Sequence, residues 1–583
     1  MLLFLPHLLI LSRVQLPLIE MKFLLPIFLA SSLSAAQLTV VLQPQWHDQL
    51  LALNETSLSN RSANQFSITR IAFLLSKAQL QQQDGKWIGA NDWFAFIDVE
   101  KKQTTFSLPN IPAGLYTALR FDLGLDDSID KSEPSPRPAG HPLHPDTNNL
   151  HWGWRKGYIF LALEGRYQQK DGKLGGFSYH LAGQECRGTV EVPVSMDLRT
   201  AQVLRLSFDA SYLFDSAHAI NIHDSDTTHS GNDGGLAGKI TDNALQAFGI
   251  ISIAPDISPI AQTNKPLVTP AGVSLAVPAH FPVPNWPQDN LPTPAGVKLG
   301  EMLFHEARFS LNNQQSCASC HQSDKSFTDG LKVSIGTTGQ HGTRNAMPLT
   351  NLAWKPAYFW DGRANTLREQ VLMPIEDKNE MNESLDRVVT KINDRQDEFA
   401  KAFGTKEITK ERIGLALEQY LLTLIAAESK MDHTITKGAQ LSQQEARGME
   451  LFFTESDPGR GVKGADCFHC HGGAHFTNNQ FLNNGLDLED MMIDLGRMRV
   501  TSAVTDRGKF VVPSLRNVAR TAPYMHDGRF ATLEEVIAHY NSGIQASATL
   551  DPNLAKHLGH GGLNLTKDDQ AALVAFLKAL SDE

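Results

Sequence analysis

The chain has 583 residues, 42% hydrophobic and 20% charged, with 52 Lys and Arg against 63 Asp and Glu and a formal charge of −11. This composition excludes a mainly disordered chain and calls for two or three domains, while the acidic balance offers no footprint for nucleic acid or an anionic membrane surface. Five cysteines, at 186, 317, 320, 467 and 470, are too few for a disulfide-built scaffold, so their spacing carries the information.

The first 36 residues have the layout of a secretory signal: Met21-Lys22, an uncharged stretch from Phe23 to Leu33, then the small residues Ser34-Ala35-Ala36. Cleavage before Gln37 and a periplasmic location are the expectation. Met21 can itself initiate translation, which would make residues 1–20 an upstream extension. A membrane anchor needs about 20 uninterrupted apolar residues, and Arg13, Glu20 and Lys22 break the run, so no membrane span is expected.

Residues 37–253 alternate short β-rich runs with turn residues, as in QLTVVLQ, FSITRIAFLLS, LYTALRFDLGL and VLRLSFDASYLF. They predict a β-sandwich or barrel, with an all-β sandwich as the working fold. Residues 254–294 hold 10 of the 29 prolines, which excludes regular helix or central strand and predicts an extended linker or a strap across a surface. Beyond it the apolar period becomes 3.6, at Ile413, Leu417, Tyr420, Leu421 and Leu424, and helix starts are written at Ser442-x-x-Glu445 and Thr532-x-x-Glu535. The C-terminal half is therefore expected to be mainly α, with long loops.

Within that half stand Cys317-Ala-Ser-Cys320-His321 and Cys467-Phe-His-Cys470-His471, two copies of C-x-x-C-H, the attachment motif of c-type haem. Two thiols one helical turn apart reach the two vinyl groups on one edge of a porphyrin, and the next residue offers an imidazole to the iron. A pair of zinc or thiol-redox sites is the alternative; the histidine after each motif and the export signal favour haem. The motifs divide the half into a first haem domain at 295–435 and a second at 436–583.

From about Leu291 to the C-terminus the chain resembles the bacterial di-haem cytochrome c peroxidases and their MauG-type relatives. The resemblance rests on the two haem motifs, Phe359-Trp360-Asp361-Gly362-Arg363, the stretch from Gln370 through Pro374 to Glu380-Met381, and Pro513-Ser514-Leu515-Arg516-Asn517 followed by Thr521-Ala522-Pro523-Tyr524. It implies two covalent haem c groups and a first haem that reacts with hydrogen peroxide beside Gln370 and Glu380, with Pro374 as pocket wall. A carboxyl there can take the proton from the near oxygen of peroxide and return it to the leaving oxygen. The resemblance also implies that Trp360 lies between the haems as an electron relay, and that Asn345, Thr521 and Pro523 hold a calcium ion, the last two through carbonyls, as suits a hard cation.

Two positions separate peroxidase from protein oxidase in this family. Where peroxidases place a movable distal histidine this chain has Thr337, with His341 four residues on in a Gly-rich loop, so a permanently open first haem is expected. Where they place an axial Met, 17 residues after Pro523, stands Tyr540, the MauG-type pattern. An anionic oxygen ligand stabilises ferric and more oxidised iron, whereas a thioether favours ferrous iron.

Residues 66–183 resemble the MbnP-like copper-binding domains through Phe66 to Arg70, Leu74-Leu75-Ser76, Ala113 to Tyr116, His151 to Tyr158 and Gly175 to His180. In that family a partner haem enzyme oxidises a tryptophan, which then joins histidines in binding copper. Here the resemblance makes Trp46, Trp152 and Trp154 candidate oxidation targets and His47, His144 and His151 candidate copper ligands, imidazole suiting copper. Cys186 is expected to be a buried small residue. The expected function is peroxide-driven oxidation of a protein substrate, with a tryptophan of the chain's own β domain as the candidate. The rivals are a cytochrome c peroxidase fed by a small electron-transfer protein, and a copper-binding or copper-delivery protein.

Overall fold

A computed structural model describes residues 36–582 except 56–57, 135–136, 139, 153–156, 229–234, 257–269, 271, 274, 276 and 458–460; the signal region and Trp154 lie outside the described residues. The N-terminal region is built of β-sheets and the C-terminal region is mostly helical.

The strand Gln65–Gln82 organises the larger sheet. It pairs with Leu115–Leu123 on one side and Ile159–Gln168 on the other, and the sheet continues through Leu174–Ala182 to Thr227–Thr228. The smaller sheet runs Phe248–Pro255, Gln202–Asp209, Ala36–Trp46. Leu38, Val40, Leu204 and Phe208 from this sheet meet Ile71, Phe73, Leu119 and Phe121 from the other in one core, with the Phe73 and Phe208 rings 4.9 Å apart. The expectation of a sandwich holds, but it is not purely antiparallel. Ala36–Trp46 pairs in parallel with Gln202–Asp209, which forces a crossover that carries every strand of the larger sheet but Thr227–Thr228 between them. Short helices at Tyr212–Asp215 and Leu236–Ala244 also interrupt the all-β reading.

Every residue from Phe66 to Ser76 is buried, so this strand is covered on both faces. One face is apolar and makes the sandwich core. The other carries Ser67, Arg70 and, on neighbouring strands, Glu164, Arg166, Ser178 and His180, all buried. What covers this polar face is the helix Pro552–Leu558 of the C-terminal region. Gly176 lies flat against it, where a β-carbon would stand 2.0 Å from the Pro552 carbonyl oxygen, and Arg166 Nε donates to the Leu550 carbonyl at 2.8 Å.

The described part of the proline-rich stretch is anchored. Phe281 and Trp286 are buried in the first helical core with Leu299, Leu417 and Leu421, and the Trp354 indole donates to the Pro282 carbonyl at 2.8 Å. In the second helical core Gln443–Phe452 packs on Lys567–Lys578, Gly448 giving the close approach. Ser442 with Glu445 and Thr532 with Glu535 form the capping boxes that their spacing predicted. Among the described residues no helix is long and apolar enough to cross a membrane.

Candidate active site

Both haem motifs line cavities, and each is set by a local turn. Cys317–Cys320 form one helical turn capped by Ser316, and Cys467–His469 a tighter turn entered through Asp466 at φ 54°. His321 Nδ1–H donates to the Phe327 carbonyl at 2.8 Å and His471 Nδ1–H to that of Phe476 at 3.1 Å. Phe327 (φ 62°) and Phe476 (φ 51°) both adopt the left-handed conformation that turns these carbonyls onto the rings. With Nδ1 committed, the lone pair left on each imidazole is Nε2, the atom an iron needs. Burial holds His471 down to about 4 and lowers His321 as well, so both rings are neutral ligands in waiting. Two thiols and one such imidazole per cavity fit a covalently attached haem c, with Cys317, Cys320 and His321 holding the first and Cys467, Cys470 and His471 the second.

The first cavity, of ≈ 590 Å³, is lined by these three residues together with Gln370, Pro374, Glu380 and Trp360. Burial, reinforced by Asp377 and opposed by Arg363, pushes the Glu380 carboxyl up to about 7. That value suits a group that must both take and return a proton near neutrality. Thr337 is half-buried and His341 exposed, and neither lines the cavity; the Thr337 hydroxyl donates to Asn312 Oδ1 at 3.2 Å.

The second cavity gathers Cys467, Cys470, His471 and Tyr540 with Asn345, Thr521, Pro523, Val511, Leu515 and Ile537. The helix Leu533–Ala538 does not continue as α: His539–Gly543 is a π turn, and Tyr540 sits in it. Such a turn inserts one residue and re-aims side chains, a frequent device at functional sites. Burial raises the Tyr540 phenol, opposed by the Asn484 amide, whose Nδ2 lies 3.4 Å from the hydroxyl. Trp360 and Asn345 line both cavities, and the Trp360 indole donates to the Asn345 carbonyl at 2.9 Å. Asn345 Nδ2 donates to the Leu331 carbonyl at 2.9 Å, and the Thr521 hydroxyl to that of Val518 at 3.2 Å.

The β-domain candidates separate. Trp46 packs inside its own domain against Phe66 and Phe214. Trp152 instead bridges two cores: its ring lies 5.2 Å from that of Phe468, the residue between Cys467 and His469. His47, His144 and His151 do not gather as a ligand set. Among the described residues the one group of three or more His, Cys, Asp or Glu with converging ligand atoms is Glu455, Asp466 and His469, and the Lys556 ammonium already bridges its two carboxylates. Cys186 is fully buried, as expected.

The domain contact beside the second motif has no counterpart in the sequence reading. His180 stands 5.0 Å from His469 and 6.4 Å from Trp152, ring to ring. His180 Nε2 bonds Glu164 Oε1 at 2.9 Å, and Arg70 Nη1 donates to the same oxygen at 2.9 Å. Burial works against the Glu164 carboxylate, but Arg70 and His180 more than offset it and hold its pKa well below the usual carboxylate range. The available signal was charge where a period-two strand should be apolar or exposed, at Arg70, Glu164 and Arg166.

Comparison with known proteins places these features. The family model described as di-haem cytochrome c peroxidase matches residues 294–440, and that of MbnP residues 35–231. Cytochrome c551 peroxidase of Nitrosomonas europaea is 35% identical over 296 residues, 49% of this chain and 80% of the relative. The chain belongs to the di-haem cytochrome c peroxidase family. Methylamine utilization protein MauG of Methylorubrum extorquens, 33% identical, covers 51% of this chain and 81% of its own. A crystal structure of a MauG-like protein associated with microbial copper homeostasis is 34% identical, covers 54% of this chain and 96% of its own, and has a TM-score of 0.48. As a family member the chain is a peroxide-dependent di-haem oxidoreductase, with haem c the cofactor that its two motifs hold.

Proposed function

We propose that the chain is an exported enzyme that uses hydrogen peroxide to oxidise a protein group, and that this group is Trp152 of its own β domain. The observation that carries the reading is the packing of the Trp152 ring on Phe468, inside the second haem motif. The bound haem pair supplies the redox chemistry. In the first cavity Glu380, its carboxyl near 7, moves the peroxide proton from one oxygen to the other, and Gln370 beside it orients the bound molecule. One peroxide takes two electrons and two protons to give two waters; the indole gives up the two electrons, takes its oxygen from a water and releases the two protons. The electrons leave the indole beside the second haem motif and reach the first cavity by way of Trp360, which borders both cavities. Tyr540, aimed by its π turn, serves as oxygen ligand in the second cavity. Asn345, Thr521 and Pro523, all bordering that cavity, are proposed to hold calcium.

A small redox protein as donor is the second reading, favoured by the Nitrosomonas europaea relative, a cytochrome c551 peroxidase. The deciding experiment adds peroxide to the full chain and maps its peptides by mass. Oxygen added at Trp152, with Trp46 unchanged, is the expected result. Trp152 left intact while an added small cytochrome is rapidly oxidised would overturn the proposal.

A further inference from the structure

Glu380 is placed by its backbone. Its carboxyl makes no hydrogen bond to another described residue, and its charged surroundings are Asp377 and Arg363, with the Cys317 and Cys320 thiols across the cavity. What fixes the segment is a loop from the other side. The Thr337 amide donates to the Glu380 carbonyl at 2.8 Å, and Gly336 lies so close to the Asn379–Glu380 peptide that a β-carbon on it would stand 2.1 Å from the Asn379 oxygen and 2.8 Å from that of Glu380.

The loop is itself braced against the segment that leads into the first haem motif. Gln315 Nε2 donates to the Ile335 carbonyl at 2.8 Å, Asn312 and Thr337 exchange side-chain and backbone bonds at 3.2 and 3.3 Å, and Gly336 N–H closes a turn on the Gln340 carbonyl at 2.8 Å. The same leading segment bonds the next distal residue directly, Leu311 N–H to the Met381 carbonyl at 3.0 Å. Residues 311–315, the loop 334–342 and the Glu380–Met381 strip thus form a closed ring of hydrogen bonds, two of its three sides backbone to backbone and the third made through the side chains of Asn312, Gln315 and Thr337. Residues 311–315 precede Cys317 by only a few positions, so this ring ties the segment entering the haem attachment to the strip that carries the acid.

We infer that Gly336 and the Thr337 amide are positioning groups for the peroxide reaction, holding Glu380 at a fixed height over the first cavity. The inference rests on Glu380 acting as proton carrier. Its chemistry needs the loop to arrive without a side chain at 336 and with an N–H at 337 that reaches the Glu380 carbonyl; the Thr337 hydroxyl adds one side-chain bond of the brace, to Asn312. In this chain the loop is occupied with holding the acid, which is why neither Thr337 nor His341 enters the cavity.

The test compares four full-length, haem-loaded proteins by stopped-flow reaction with peroxide and by the infrared carboxyl band of Glu380, identified by its loss in Glu380→Gln. Gly336→Ala should react with peroxide about 10- to 100-fold more slowly, the scale of a misplaced catalytic group. Its carboxyl band should titrate nearer the ordinary carboxylate range, with haem content unchanged. Thr337→Ala, which keeps the amide and loses only the hydroxyl's bond to Asn312, should change both measurements less than Gly336→Ala does. A Gly336→Ala protein with wild-type rate and an unmoved band would overturn the inference. If Gly336→Ala fails to load haem, Gln315→Ala loosens the brace without crowding, and the same band then decides: moved supports the clamp, unmoved ends it. A Glu380→Gln protein that keeps its peroxide rate would sink the role of Glu380, while a moved band in Gly336→Ala would still uphold the clamp.

Discussion

The first haem cavity is lined by many ionisable and polar groups, Gln370, Glu380, Arg363 and Lys355 among them, whereas the second is more apolar, with Val511, Leu515, Ile537 and Leu554 around Tyr540, though Asp551 and His557 border it too. Both begin with the same unit: two thiols on a turn, then a histidine whose Nδ1 is held by the carbonyl of a left-handed phenylalanine. The shared part is what attachment demands, and the divergent part is what each site does with its iron. An acid near 7 beside an open position suits peroxide. An oxygen donor in a more apolar setting suits the storage of oxidising equivalents, because apolar walls favour excluding the water that would quench them.

The most drastic way to break this comparison removes one attachment at a time. Cys317→Ala with Cys320→Ala should halve covalent haem and abolish reaction with peroxide; Cys467→Ala with Cys470→Ala should halve haem too but leave peroxide able to bind in the first cavity. Haem staining of denatured protein and stopped-flow spectra read both, and equal peroxide reactivity in the two variants would erase the proposed division of labour.

Glu380→Gln should slow the peroxide step by about 10²- to 10⁴-fold, the usual worth of a proton carrier. In the wild type the acting base is the carboxylate, and its pKa is raised to about 7, so the rate should climb as pH rises through 7 and level off above. The Gln variant should show no such limb. A limb that survives the substitution belongs to another group.

Next in size is Tyr540→Phe. Loss of the phenol oxygen should alter the ferric spectrum of the second haem alone and hinder the two-electron-oxidised state of the pair, since the ligand that favours oxidised iron is gone. Identical ferric spectra would reduce Tyr540 to a core residue. Trp360→Phe is gentler: peroxide still enters beside Glu380, but transfer from the second cavity to the first should slow. Unchanged single-turnover traces at both haems would remove Trp360 from the route.

What could be read in the chain beforehand follows a physical line. Covalent attachment requires two thiols and a histidine at fixed spacing, so Cys317 to His321 and Cys467 to His471 stand out without any structure. Tyr540 was singled out by its distance from Pro523, at the place where the resembled peroxidases have Met, though the π turn that aims it left no trace in composition. Strand order was hidden, because the parallel pairing of Leu38 with Gln202 joins residues whose separation no local pattern records. The domain contact was hidden for the same reason: Arg70, Glu164 and His180 look like misplaced polar residues until Glu455, His469 and Lys556 are set against them. Proline content predicted an extended connector or strap but could not name its anchors, which in the described part are Phe281 and Trp286.

The contact itself offers the smallest and most selective perturbation. Gly176 meets the Pro552 carbonyl, a backbone atom that cannot swing aside, so Gly176→Ala must shift the helix Pro552–Leu558 or tilt the β domain away from it. That helix carries Lys556 and His557, which pair with Asp466, the residue just before Cys467. The first cavity has no part in this contact, so stopped-flow reaction with peroxide should be unchanged. Transfer from Trp152 to the second haem crosses the contact, and electron tunnelling falls steeply with any added gap; oxidation of the Trp152 peptide should therefore slow several-fold under the same peroxide. Dilution over a wide range should leave the wild-type rate constant, because donor and acceptor are parts of one chain. A rate that scales with protein concentration would mean that the β domain is oxidised by a neighbouring molecule, and an unaltered rate in Gly176→Ala would mean that Trp152 does not deliver its electrons across this face.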